Sequence, residues 1–343
     1  MTARHRLVVA AVAAGVATAP ASSALGGHFA VHPLVSDQTD RQLVNPWGLA
    51  ARSGGAWWVA NEARSSSTVY GGDGHKQVGS IGVQGGPTGV VFYGGRGFPV
   101  HGARRSAPAR FVYACEDGAI RAWTPTVPTA WSTRAEVVVD TGASGTVLRG
   151  LTLSSGHLYA TDFHNARILV FDSQWRRVRR RGAFVDPSIP EWYAPFGIAA
   201  LGGHIFVTYA SRAPVNGNDA PVGGYVDEFD PRGRLIAHVG ASTQFDEPWG
   251  LALAPRGFGR LDRDLLVANF GSGRINIYGP RGRTWNYRGR MPITVPGVWG
   301  ISFGTGDMSG ARTSLFYVAG PHRWHGASEV DVHGVFGVIV PSG

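Results

Sequence analysis

A short phrase built on one glycine and an apolar run recurs six times along the chain, and a repeat of this kind limits the fold more than any single residue does. The copies are Asn45-Pro46-Trp47-Gly48-Leu49-Ala50, Pro87-Thr88-Gly89-Val90-Val91-Phe92, Leu148-Arg149-Gly150-Leu151-Thr152-Leu153, Ala194-Pro195-Phe196-Gly197-Ile198-Ala199, Glu247-Pro248-Trp249-Gly250-Leu251-Ala252 and Gly297-Val298-Trp299-Gly300-Ile301-Ser302. Their glycines lie between 41 and 61 residues apart, a spacing that suits four strands per unit. Each phrase is followed by a second apolar strand, at Trp57 to Ala60, Phe111 to Cys115, Leu158 to Thr161, Ile205 to Thr208, Leu265 to Ala268 and Leu315 to Ala319. Third strands follow in most units, as in Ile168 to Asp172, Tyr225 to Asp230 and Ile275 to Tyr278. Such a unit is a propeller blade, and six of them predict an all-β, six-bladed β-propeller. With 50 glycines and 21 prolines between short β-rich runs, long helices are not expected.

The sixth unit has room for only three strands after Gly300, ending in Val335 to Val340. Its fourth is expected from Phe29-Ala30-Val31-His32-Pro33-Leu34-Val35, which would close the ring and remove the open edges. Pro33 is tolerable on an outermost strand, where one side of the backbone needs no donor. Ahead of it, Arg4, His5 and Arg6, the apolar stretch Leu7 to Ala17 and the small residues through Ala24 follow the order of an export signal. The stretch is too short to span a bilayer. Residues 1–24 are therefore expected to be a signal peptide and residues 25–343 a single propeller domain, secreted to the cell exterior. Cys115 is the only cysteine, which excludes an intramolecular disulfide and reads as a small buried residue.

The net charge is +9, and with Lys76 as the only lysine the positive charge is almost all arginine. The one dense run, Arg176-Arg177-Val178-Arg179-Arg180-Arg181, reads as an outer strand whose charges block edge pairing. A site for an anionic polymer is the alternative there. No specific nucleic-acid partner, no membrane span and a monomer are expected.

Asp162-Phe163-His164-Asn165-Ala166-Arg167-Ile168-Leu169-Val170-Phe171-Asp172 resembles the NHL repeat, whose hallmark is an Asp, then Asn-x-Arg-Ile, then an apolar strand. Asn269-Phe270-Gly271-Ser272-Gly273-Arg274-Ile275 is a weaker match, with Asn269 in place of the Asp. The marker phrases at Asn45 and Pro248, Thr161 to Asn165 and Gly182-Ala183-Phe184-Val185-Asp186-Pro187 are similar to a family of secreted bacterial propeller proteins of uncharacterised role. That resemblance implies the fold and brings no reaction with it. Some of its members carry a C-terminal sorting helix; Val340-Pro341-Ser342-Gly343 is not one, so free secretion is implied.

Because strands alternate in direction, the marker phrases and the exits of the second strands share one face of the disc. Aligning the exits by their apolar strands gives Asn61, Glu116, Asp162, Tyr209, Asn269 and Gly320. Oxygens of Glu116, Asp162, Asn61 and Asn269 could hold a hard cation such as Ca²⁺, an arrangement with a fold-level analogy in gluconolactonase-like propellers. Alternatively, these short side chains accept hydrogen bonds from their own turns. The phrases bring Trp47, Phe196, Trp249 and Trp299 to the same mouth, with His164, His322 and His325 nearby; the rings suit a sugar or aromatic ligand, or wedge between blades. There is no Gly-x-Ser-x-Gly elbow, His-Glu-x-x-His, phosphate loop or cysteine pair. Two readings follow. One is an extracellular module that binds a protein, peptide or glycan; the other is a metal-assisted hydrolase or lactonase with Asp162 or Glu116 as base beside a cation.

Overall fold

The runs between the glycines and prolines form strands because β-branched and aromatic side chains fit a pleated, half-buried surface. In the computed structural model they build six antiparallel sheets around one axis; residues 28–212, 223–320, 323–325, 328–330 and 333–342 are described. From the axis outward, the first blade holds Pro46–Ala51, Trp57–Asn61, Ser66–Tyr70 and Ile81–Gly82, and the second Pro87–Phe92, Phe111–Cys115, Ala119–Trp123 and Glu136–Asp140. The third has Leu148–Ser154, His157–Asp162 and Arg167–Phe171. The fourth comprises Tyr193–Leu201, His204–Ser211, Tyr225–Phe229 and Leu235–Ala241; the fifth Pro248–Leu253, Leu265–Asn269, Arg274–Arg281 and Thr284–Arg290. An extra hairpin, Pro99–His101 with Ser106–Pro108, accounts for the longest interval between marker glycines.

The sixth blade joins the two ends of the chain. Val298–Phe303, Leu315–Ala319 and Val335–Ser342 are completed by His28–Ser36, with Ala30 opposite Val340 and Val35 opposite Phe336. The ladder slips between Pro33 and Val35, where the imino acid cannot donate. The expected closure is therefore present. The segment assigned to export lies outside the described residues. Among the described residues no helix is long and apolar enough to cross a membrane.

The arginine run is not the outer strand expected of it. After Phe171 it makes one antiparallel bridge, Phe171 to Arg177, closed by Asp172 N to Arg176 O at 3.0 Å and Val178 N to Val170 O at 2.8 Å. Trp175 is drawn toward the second blade, packing on Phe98 and donating from Nε1 to Pro99 O at 2.8 Å. Arg180 and Phe184 then lead to the fourth blade, through a hydrogen bond to Pro231 O at 2.5 Å and a ring contact with Phe229. A segment anchored to both neighbours cannot also run straight along its own blade.

Adjacent blades meet through apolar faces, as where Leu266, Ile275 and Ile277 pack against Ile301, Leu315 and Tyr317, all buried. Each such side chain contributes about 1.5–3 kcal/mol by leaving water. At the axis the contact is backbone on backbone, and this explains the marker glycines. A Cβ on Gly48 would stand 2.7 Å from Thr88 O, and one on Gly300 2.7 Å from Trp47 O. The other four marker glycines are pressed against the next blade in the same way, so the recurrent residue is the one that lets six inner strands converge.

Candidate functional site

In every inner strand the pairing with the second strand slips at the marker phrase. Pro46 faces Asn61 and Gly48 faces Ala60; Pro248 faces Asn269 and Leu251 faces Val267; the other four blades repeat the irregularity. A bulge of this kind re-aims a side chain. The residue before each glycine is Trp47, Thr88, Arg149, Phe196, Trp249 or Trp299, and five of these six converge across the axis.

Trp47 of the first blade lies 5.9 Å from Phe196 of the opposite fourth blade, 6.1 Å from Trp249, and stacks on Trp299 at 3.7 Å. Phe270, from the turn after the fifth blade's second strand, stacks on the other side of Trp299 at 3.7 Å. The Arg149 guanidinium covers Trp47 at 5.1 Å and Phe163 at 5.8 Å, and pairs with Glu116. Trp249 Nε1 donates to Arg149 O at 3.1 Å, tying the fifth blade to the third, and Trp299 Nε1 donates to Asn45 Oδ1 at 3.2 Å. Thr88, the sixth, is small and buried and donates toward the Ala114 and Leu148 carbonyls. The mouth is thus closed by an aromatic plug carrying one ion pair. Trp47, Phe196, Phe270 and Trp299 are buried in it, whereas Trp249, Phe163, Arg149 and Glu116 keep part of their surface in solvent.

Beneath the plug the axial channel holds a cavity of about 340 Å³, lined by inner-strand residues such as Leu49, Val91, Leu151, Ile198, Leu251 and Ile301. Among the described residues no titratable side chain lines it. The expected oxygen ligands sit elsewhere. Asn61 is fully buried and donates to Thr68 Oγ1 at 3.1 Å. Asn269 accepts from Asp246 N at 3.1 Å and donates to Val267 O and Arg274 O. Asp162, also fully buried, accepts from Asn165 Nδ2 at 2.9 Å, Arg167 Nε at 2.9 Å and the backbone of Val147 and Asn165. The Asp-Asn-x-Arg motif is therefore a locked turn.

Register corrects two members of the aligned exit set. Pro87 pairs with Cys115 and Val298 with Ala319, so Cys115 and Ala319, rather than Glu116 and Gly320, are equivalent to Asn61. Glu116 stands one residue farther out, where Arg149 meets it. Burial pushes the Cys115 thiol up to about 12. Tyr209 does occupy the equivalent position, opposite Pro195; burial and then Asp227 and Asp186 hold its hydroxyl well above the usual phenol range. His164 is exposed, and its carbonyl accepts from Arg212 at 2.9 Å. His322 lies outside the described residues, and His325 ends the short strand Arg323–His325. Sequence reasoning passed over Arg149, Phe163 and Phe270, although Arg149 occupies the phrase position that Trp47 and Trp299 hold.

No family model matches the chain. Over 285 residues it is 30% identical to the uncharacterized protein R648 of Acanthamoeba polyphaga mimivirus, covering 77% of this chain and 69% of that one. Among solved structures, virginiamycin B lyase from Staphylococcus aureus superposes with a TM-score of 0.52 at 12% identity, covering 91% of this chain and 99% of that chain. The gluconolactonase XC5397 from Xanthomonas campestris does so at 0.54 and 14%, covering 94% and 92%. At these identities the structural likenesses establish the propeller fold.

Proposed function

The chain belongs to the family of the mimivirus protein R648, and from that premise we propose that it is an exported β-propeller that acts as a binding module, holding its ligand on the face where the marker phrases converge. Export is supported by the charge, apolar run and small residues in processing order from Arg4 to Ala24. The observation that carries the binding reading is the plug itself. Trp249 and Phe163 offer partly exposed rings for stacking, and Arg149 with Glu116 offers a charged donor and acceptor beside them. Flat apolar faces next to a few fixed polar groups suit a glycan or a peptide segment. Metal-assisted hydrolysis at this mouth has less support, because Asp162 is taken up by its own turn and Glu116 by Arg149.

The test is a screen of the purified chain on glycan and peptide arrays, followed by titration of tryptophan fluorescence with the strongest hit. Arg149→Gln and Trp249→Ala are expected to weaken binding at least tenfold while melting cooperatively. Equal affinity in both variants, or no hit at all, overturns the reading. Turnover of a lactone that disappears in Asp162→Asn would replace it with the hydrolase.

A further inference from the structure

Between the third and fourth blades, away from the axis, lies a group of side chains that the mouth does not use. Asp227 and His238 face each other on the third and fourth strands of the fourth blade, and cross-strand partners present their side chains on the same face. The connection that replaces the missing outer strand of the third blade brings Asp186 over them. His238 Nδ1 is 2.9 Å from Asp227 Oδ1 and 3.0 Å from Asp186 Oδ2. The two carboxylates are 1% and 2% exposed, whereas the imidazole is half exposed. The Tyr209 hydroxyl, on a side chain only 5% exposed, faces Asp227 and Asp186 without a well-formed hydrogen bond to any group.

Charge is out of balance here. A single Nδ1–H donates to one acceptor, and it bonds Asp227 Oδ1; Asp227 Oδ2 and Asp186 Oδ2 are left with no hydrogen-bond donor. The other buried acids each have a cationic partner of their own: Arg167 meets Asp162 at 2.9 Å, Arg288 meets Asp264 at 2.7 Å and His204 meets Glu228. Among the charges that act on Asp227 are that of Asp186, which repels it, and that of His238, which attracts it. Two buried carboxylates with orphaned oxygens are costly unless a proton or a metal ion lies between them.

We propose that Asp186, Asp227 and His238, with the Tyr209 hydroxyl beside them, form a site for one divalent transition-metal ion of the zinc or manganese class. The donor atoms of Asp186, Asp227 and His238 all lie within 4.8 Å of one another. With metal–ligand bonds of about 2.1 Å, neighbouring donors stand roughly 3.0–3.4 Å apart, close to the separations already present. An imidazole nitrogen in the set selects this class over calcium, which takes oxygen alone. The half-exposed His238 ring supplies the route of entry, and water completes the shell. Of the aligned exit residues only Tyr209 stands beside this site, its hydroxyl toward Asp227 and Asp186; Asn61, Glu116, Asp162 and Asn269 take no part.

The full-length chain, stripped with chelator, is titrated with Zn²⁺, Mn²⁺ and Ca²⁺, with bound metal measured after equilibrium dialysis and the melting temperature followed in parallel. One zinc or manganese ion per chain and a rise in melting temperature are expected. Asp227→Asn and Asp186→Asn are expected to weaken binding by about a hundredfold, and His238→Gln, at a half-exposed ring, at least tenfold. Substoichiometric metal, undiminished affinity in His238→Gln, or tighter binding of calcium than of zinc and manganese overturns the assignment. In the first case His238 serves only to hold the two carboxylates in place.

Discussion

Replacing Gly48 by alanine tests the claim that the marker glycine exists for close approach of blades. The added Cβ would meet Thr88 O at 2.7 Å, Val90 N at 2.9 Å and Gly89 Cα at 3.1 Å. All three are backbone atoms of the next blade, so no side chain can swing away. Relief requires the first and second blades to part by about half an ångström, in an interior packed to crystal-like density. Overpacking by one methyl group costs about 1–3 kcal/mol, and with backbone on both sides the upper end applies. Alanine recovers about 0.4–1 kcal/mol by restricting the unfolded chain, leaving a net loss of about 2 kcal/mol. With an unfolding entropy of about 2.1 cal/mol/K per residue, a domain of this size then melts roughly 3 °C lower.

Gly79→Ala is the control. It also lies outside the left-handed region, and a Cβ there meets nothing within 4 Å. It should keep the small gain and melt at or slightly above the parent. Calorimetry on the three chains at one scan rate separates the two effects. If Gly48→Ala melts with or above Gly79→Ala, the converging-backbone explanation is wrong and the repeated glycine needs another reason.

Two further outcomes follow from the same structure. A chain beginning at Asp37 loses the partner of Val335–Ser342, a ladder of eight residue pairs; at about 1 kcal/mol net for each hydrogen bond, it is expected to lose cooperative melting and to associate through the bared edge, and a monomer melting within 2 °C of the parent would show that closure is dispensable. Cys115, with its thiol pushed up to about 12 by burial, carries almost no thiolate at pH 8, so the native protein should be inert to a disulfide reagent that titrates one thiol once urea is added; labelling within minutes without urea would refute its burial.

The architecture was readable from the order of residues alone. Six glycine phrases, six apolar second strands and a last unit one strand short were enough to place His28–Ser36 against Val335–Ser342, because repeat, alternation and edge closure are properties of the chain order. The convergence of Trp47, Phe196, Trp249 and Trp299 was legible for the same reason, since equivalent positions in a closed ring face one axis. Register was not legible: Cys115 reads as part of an apolar run, yet Pro87 pairs with it and leaves Glu116 one step outside. Pairing geometry, which polarity does not encode, decides which residue ends a strand. Nor could sequence tell whether Asp162 looks toward the axis or into its own turn, because that depends on Asn165 and Arg167 reaching back to it. The group Asp186, Asp227 and His238 is farther still from any motif. Its members come from a connection that should have been a strand and from two neighbouring strands of another blade, and only the packing of blade on blade brings their oxygens and nitrogen together.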